Sequence, residues 1–228
     1  MPLSRTPDAA LTPDSRAHNL LLGANVVIDA TATIGANVVI YDGVQLGPGV
    51  TIKNNCVIGE LPSLAPDSSA DAFSPFVTTI SAGATICNDV GIIAGASIGE
   101  RTIIGDHAFV REGSTIAEDC MIGRGCSVGV GARVGSRTKV QTGSGVLARM
   151  VVESDVVIGG HVTGVTDMSF GRDTELVRKG VILRRGCMIG SGVCFLPGVE
   201  VGEESIVGAG VAVRETEPAQ IKSARVTK

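Results

Sequence analysis

An aliphatic residue returns at every sixth position along nearly the whole chain. The first run is Leu22, Ile28, Ile34, Ile40, Leu46, Ile52 and Ile58. The second goes from Ile80 through Ile86, Ile92, Ile98, Ile104, Val110, Ile116, Ile122, Val128, Val134, Val140, Val146 and Val152 to Ile158, and the third is Leu183, Ile189, Phe195, Val201, Val207 and Val213. A period of six matches neither the turn of a helix nor the alternation of a long strand. It matches a short strand, a turn and another short strand. Glycine commonly follows the aliphatic, as at Gly35, Gly105, Gly123 and Gly159. A small or β-branched residue stands four places beyond the aliphatic, as at Val38, Ala84, Ala96 and Thr102. The expectation is that the aliphatics point inward, the small residues fill the tight corner and the glycine admits the turn conformation. Three hexads then close a triangular coil of about 18 residues, and coils stack about 4.8 Å apart. The period predicts an all-β chain, a parallel β-helix built of hexapeptide repeats.

Two segments break the period, at about 60–79 and 164–182. The first contains ELPSLAPDSSADAFSPF and the second GVTDMSFGRDTELVRKGVI. In a solenoid such insertions protrude while the stack continues beneath them, and loops of this kind are where function concentrates. The expected organisation is an N-terminal extension over 1–19, the β-helix over 20–213 and a C-terminal tail over 214–228.

Composition agrees with a core made from small branched residues. Aromatics are 3% of the chain and Trp is absent, while hydrophobics reach 44% and Gly accounts for 31 residues. The formal charge is −4 with no long basic run, so nucleic acid is not an expected partner. No apolar leader is legible at the N-terminus and no run of 18 apolar residues occurs, so the expectation is a cytoplasmic protein with no membrane partner. The six cysteines form no paired CxxC at zinc-finger spacing. Cys56, Cys120, Cys126 and Cys187 fall on the small inward position of their hexads, where a thiol acts as a small hydrophobe.

The stretches CVIGELPSLAPDSS, DHAFVREGSTI, KVQTGSGVLARMVVESDVVIGG, VTDMSFGRD and RRGCMIGSGVCFLPGVEVGEESIVGAGVAV resemble the hexapeptide-repeat acyltransferases. Within that family the resemblance is to enzymes that N-acylate amino sugars on nucleotide carriers, and it spans nearly all of 20–218. It implies left-handed coiling, a homotrimer with active sites between subunits, and acetyl-CoA or a related acyl-CoA as cosubstrate, lying along an outer seam. It implies no metal. It also implies a small-molecule acceptor.

The site candidates combine the resemblance with the hexad count. Successive coils place Asn88-Asp89, Asp106-His107, Arg124-Gly125, Thr142-Gly143 and Gly160-His161 at one corner, so His107 and His161 share an edge about 14 Å apart by stacking. With the loop starting one hexad beyond His161, the expectation is that both histidines, polar side chains and the loop converge on that edge. In the family the loop reads T-N-D; the matching residues here are Val165, Thr166 and Asp167, of which Asp167 is expected to orient the acceptor amine or take its proton. His161 is the other candidate base, at a position where the family commonly has Gly. Gln141, Thr166 and His107 are candidates for acceptor binding. Gly143 stands where the family has an oxyanion-stabilising Asn, a donor generally worth about 2.7–4 kcal/mol. Gly190, Ser191 and Ala209 are expected along the pantetheine arm. Glu215 stands where the family places a phosphate-binding Lys, and Arg214 or Arg184 is expected to take that role.

The leading expectation is acyl transfer from acyl-CoA to an amine of a polar, nucleotide-linked acceptor. Three alternatives use the same scaffold: O-acylation of a hydroxyl, acyl carrier protein as donor, and a non-catalytic β-helix. A zinc hydratase would need three converging histidines, and the third here, His18, precedes the coils.

Overall fold

The computed structural model describes residues 11–63, 77–169, 172, 179–216, 219 and 222–223. It is a left-handed parallel β-helix with three faces of two- to four-residue strands. Thr85 pairs with Ile103 and Ile86 with Ile104, a register of 18 residues, so one coil is three hexads. The first face carries Leu22, Ile40, Ile58, Ile92, Val110, Val128 and Val146 and continues as Gly164, Phe195 and Val213. The second carries Ile28, Leu46, Ile80, Ile98, Ile116, Val134, Val152, Leu183 and Val201. The third carries Ile34, Ile52, Ile86, Ile104, Ile122, Val140, Ile158, Ile189 and Val207. Beyond 20–213 the pairing continues at both ends. Thr12–Asp14 lies antiparallel on Leu20–Leu22, and Lys222–Ser223 pairs with Ile206–Val207.

Two residues per hexad face inward, the aliphatic and the small residue two places before it. Val38 and Ile40, Ala96 and Ile98, and Val156 and Ile158 are all buried. Where the small position holds a polar side chain, a neighbouring coil satisfies it. The Thr102 hydroxyl donates to the Ala117 carbonyl at 2.7 Å and the Ser144 hydroxyl to that of Gly159 at 2.6 Å. Three thiols behave alike, Cys56 donating to Cys87 O, Cys120 to Gly135 O and Cys126 to Gln141 O at 2.9, 3.1 and 3.0 Å. Burial pushes the Cys56 and Cys187 thiols up to about 11 and about 12. The four cysteines assigned to the inward position are buried; Cys87 and Cys194 are partly exposed.

The turn role expected of the glycine after the aliphatic holds at Gly59, at φ 81°, and is corrected by the structure at Gly105 and Gly123. A Cβ at Gly105 or Gly123 would lie 2.8 Å from backbone of the next coil, so glycine is required there by close approach of coils. The left-handed turn residue comes two places later. It is Asn37, Asn55, Asp89, His107 or His161 as readily as Gly125 or Gly143, all at φ between 55° and 70°. Its N–H donates to a carbonyl of the preceding coil, as from His161 to Thr142 O at 3.0 Å. Asn, Asp and His are the residues that most tolerate this region.

The corners differ in how they treat side chains. The two period-breaking segments are entered from the first corner, after Val57–Glu60 and after Thr163–Gly164. The protrusion expected of them falls on 64–76, 170–171 and 173–178, outside the described residues. The second corner is a ladder of charges. Arg101 grips Asp119 through two bonds of 2.7 and 2.9 Å, Arg137 grips Asp155 at the same distances, and Ser136 donates to Glu118 at 2.5 Å. At the third corner Asn19, Asn37, Asn55 and Asp89 join side chain to side chain, each bond 3.0 Å.

Two measurements follow from this packing. At pH 8 a disulfide reagent should label no more than Cys87 and Cys194 in the native protein and all six thiols in denaturant. Labelling of a third native thiol would contradict the inward placement. The second concerns acid. The bonds from Arg101 and Arg137 hold the Asp119 and Asp155 carboxyls below the usual carboxylate range. A depressed folded value stabilises above the unfolded value of about 3.9 and is lost as pH falls through the folded value. The double variant Arg101→Gln/Arg137→Gln should therefore unfold at lower urea than wild type at pH 6, the gap closing as pH falls below about 4. A gap of constant size down to pH 2 would assign the loss to packing instead.

Candidate functional site

Six of the candidate residues stand on the third corner. Gln141 follows Val140, His107 and His161 are the left-handed residues after Ile104 and Ile158, and Gly190, Ser191 and Ala209 follow Ile189 and Val207. They form one vertical column, with Gly143 between the coils of His107 and His161. The Ser191 hydroxyl accepts from the Gly160 N–H at 3.2 Å, and a Cβ at Gly190 would lie 2.5 Å from the Ala209 nitrogen. This part of the edge is thus tightly stacked backbone with few side chains.

The expected convergence of the loop on the same edge is not what the fold produces. Thr166 and Asp167 follow Gly164 and so stand at the first corner, one side of the triangle away from His161. One hexad is one face, so a loop that starts a hexad later starts at the next corner. The Asp167 carboxylate accepts from the Ser169 N–H at 2.7 Å and its hydroxyl at 2.6 Å, closing a turn. Arg214, after Val213, also stands at the first corner and is exposed. Arg184 stands at the second, where its guanidinium meets Glu200 at 2.7 Å and Glu153 at 2.8 Å. Any phosphate there would compete with two carboxylates. Arg184 in turn holds the Glu153 carboxyl below its usual value.

The two histidines differ in surroundings. His107 Nδ1 is 3.8 Å from Asp89 Oδ2 in the preceding coil, an ion pair when the imidazole is protonated. His161 lies against Gly143. A Cβ built there would be 2.7 Å from both Cε1 and Nδ1 of the ring. The sequence marks Gly143 and His161 as separate departures from a family pattern, and the fold puts them in contact across adjacent coils. The first corner also carries a half-buried ion pair: Glu112 is buried and bonded twice at 2.7 Å by Arg111, whose side chain is partly exposed. The adjacent Arg-Glu before Gly113 was its one signal. Among the described residues no group of three or more His, Cys, Asp or Glu is placed to hold a metal, and no helix is long and apolar enough to cross a membrane.

Comparison with known proteins places this geometry. The family model described as bacterial transferase hexapeptide (six repeats) matches residues 25–60 and 101–136, and that of the hexapeptide repeat of succinyl-transferase matches 180–215. No curated protein matches the sequence. Among solved structures, the UDP-N-acetylglucosamine acyltransferase of Francisella novicida superposes with a TM-score of 0.57 at 16% identity, over 86% of this chain and 66% of its own. The Arabidopsis UDP-N-acetylglucosamine acyltransferase gives 0.51 at 14% identity, over 90% and 68%. The chain spans about two thirds of the length of these structures, which share its fold. Three separate blocks of the chain match hexapeptide-repeat models, and the whole forms one three-faced coil of such repeats.

Proposed function

We propose that the protein transfers an acetyl or other short acyl group from acyl-CoA to an amine of a polar acceptor, a nucleotide-linked amino sugar, as a cytoplasmic enzyme of sugar biosynthesis. The observation that carries this reading is the third-corner column, in which Gln141, His161, Gly190, Ser191 and Ala209 share one edge of a family fold. The two solved structures are named for acyl transfer to UDP-N-acetylglucosamine, which supports a nucleotide-linked sugar as acceptor; the nitrogen of that sugar is already acylated, so the amine rests on the sequence resemblance alone. The acceptor amine attacks the thioester carbonyl, and the carbonyl electrons move onto oxygen. Collapse expels the CoA thiolate, and the proton lost from the attacking nitrogen passes to His161 and on to the thiolate. Backbone along Gly190, Ser191 and Ala209 lines the pantetheine, and Arg214 meets the phosphates. His107 and Thr166 contact the acceptor. A backbone N–H or Gln141 supplies the oxyanion donor that Gly143 lacks.

A narrow coil filled by its own side chains has no internal pocket, so a cleft needs a second surface. Asp167 and His161 stand at opposite ends of one face. They serve one reaction when the first corner of one subunit faces the third corner of the next, which a homotrimer repeats three times. In that arrangement Asp167 orients the amine and His161 takes its proton.

Two experiments test the proposal. Saturating acetyl-CoA should raise the melting temperature by several degrees, since binding to the folded state alone stabilises it by mass action. The absence of a shift at millimolar acetyl-CoA would favour acyl carrier protein as donor or a non-catalytic scaffold. With acetyl-CoA and UDP-glucosamine as probes, His161→Asn and Asp167→Asn should each lower thiol release at least tenfold. Chains of the two variants unfolded and refolded together should recover roughly a quarter of wild-type sites, the fraction that random C3 mixing gives. Recovery no greater than that of the separate variants would place both residues in sites within one subunit, or outside the site.

A further inference from the structure

We infer that Gly143 is a positioning residue whose missing side chain is the seat of the His161 imidazole. The inference rests on the reading of His161 as the proton acceptor, but the seat itself is a matter of geometry. In the third-corner column the left-handed position is occupied by Asn37, Asn55, Asp89 and His107, then by Gly125 and Gly143, then by His161. The first side chains of the column reach to their neighbours one coil away, Asn37 to Asn55 and Asn55 to Asp89 at 3.0 Å, and His107 stands 3.8 Å from Asp89. Each such side chain therefore leans along the stack onto the coil beside it. His161 leans the same way, and what it meets is a residue with nothing beyond its Cα.

A Cβ at 143 would approach two ring atoms to 2.7 Å, closer than carbon packs against carbon or nitrogen. Any residue but glycine at 143 therefore forces the imidazole off its place. Gly125, one coil earlier in the same column, is different. Its φ of 63° is close to the 70° of Gly143, yet a Cβ there would meet nothing within 4 Å. Backbone strain does not distinguish the two glycines; the histidine does. The backbone of His161 is fixed at φ 55° and its N–H is bonded to Thr142 O at 3.0 Å, so the side chain has little freedom to compensate by moving its Cα.

Alanine adds only a Cβ, so Gly143→Ala and Gly125→Ala carry matched left-handed backbone costs, differ in the clash and install no amide donor at 143. The first readout is the His161 Hε1 resonance, assigned by its loss in His161→Asn. It should move in Gly143→Ala and stay at the wild-type position in Gly125→Ala. With acetyl-CoA and UDP-glucosamine, Gly143→Ala should lower kcat at least tenfold while KM for acetyl-CoA stays within twofold. The double variant Gly143→Ala/His161→Asn should be no slower than His161→Asn alone. An unchanged His161 resonance in Gly143→Ala, or losses that multiply in the double variant, would overturn the seat. A shifted resonance together with wild-type turnover in His161→Asn would leave the seat standing and remove the histidine from the chemistry.

Discussion

Coil stacking in an 18-residue register is the constraint from which the rest of the molecule follows. Each residue has its counterpart directly above and below, so what a hexad position tolerates is set by the coils on either side of it. The aliphatic and the small residue two before it must fit inside. At Gly105, Gly123 and Gly159 the residue after the aliphatic lets two backbones approach so closely that a Cβ is excluded, while Lys53, Cys87 and Gln141 hold the same position in other coils. The residue two beyond that must accept a left-handed backbone and give its N–H to the coil before. Freedom to carry chemistry remains on the outward strand position and on the corner side chains. These side chains then meet their vertical neighbours whether or not function requires it.

Charge is distributed among the corners under that same rule. At the second corner, side chains of opposite sign fall one coil apart, and Arg101 with Asp119 and Arg137 with Asp155 neutralise each other. Exposed pairs of this kind add little individually, but they alternate in sign down the column of Arg101, Asp119, Arg137 and Asp155, beside which Glu100 and Glu118 stack as like charges. Arg184 is drawn into the same arrangement because Glu153 lies one coil before it and Glu200 on the adjoining strand of the next. The third corner instead uses amides and a carboxylate up to His107, and then glycines. It presents an edge of exposed backbone and two imidazoles.

The faces, the inward positions and the buried thiols were legible because the six-residue period needs no three-dimensional information beyond the coil length. His107 and His161 fell on one corner by the same arithmetic, and they stand there. Adjacency in sequence suggests that the loop lies on that edge, whereas a step of one hexad crosses a whole face. Glycine after the aliphatic suggests a turn conformation because glycine and turns go together in sequence; at Gly105 and Gly123 φ is not left-handed, and the reason lies in the neighbouring coil. The engagement of Arg184 depends on partners 31 and 16 residues away, which the register locates but local sequence does not.

A solenoid with a filled interior has to obtain precision differently from an enzyme with a cleft. A pocket fixes its residues by surrounding them. At a corner, the backbone is fixed instead, by the left-handed turn and its bond to the coil before, and the side chain is fixed by what the next coil leaves open. Side-chain vacancy thereby becomes as specific as side-chain presence. Gly125 and Gly143 share a column and a backbone conformation, yet one vacancy is empty and the other is filled by a ring. The order of residues down one corner, rather than any single motif along the chain, is where such a protein can alter its chemistry without disturbing its fold. An exchange between neighbouring coils leaves the inward positions untouched, so the core does not limit which side chains a corner presents.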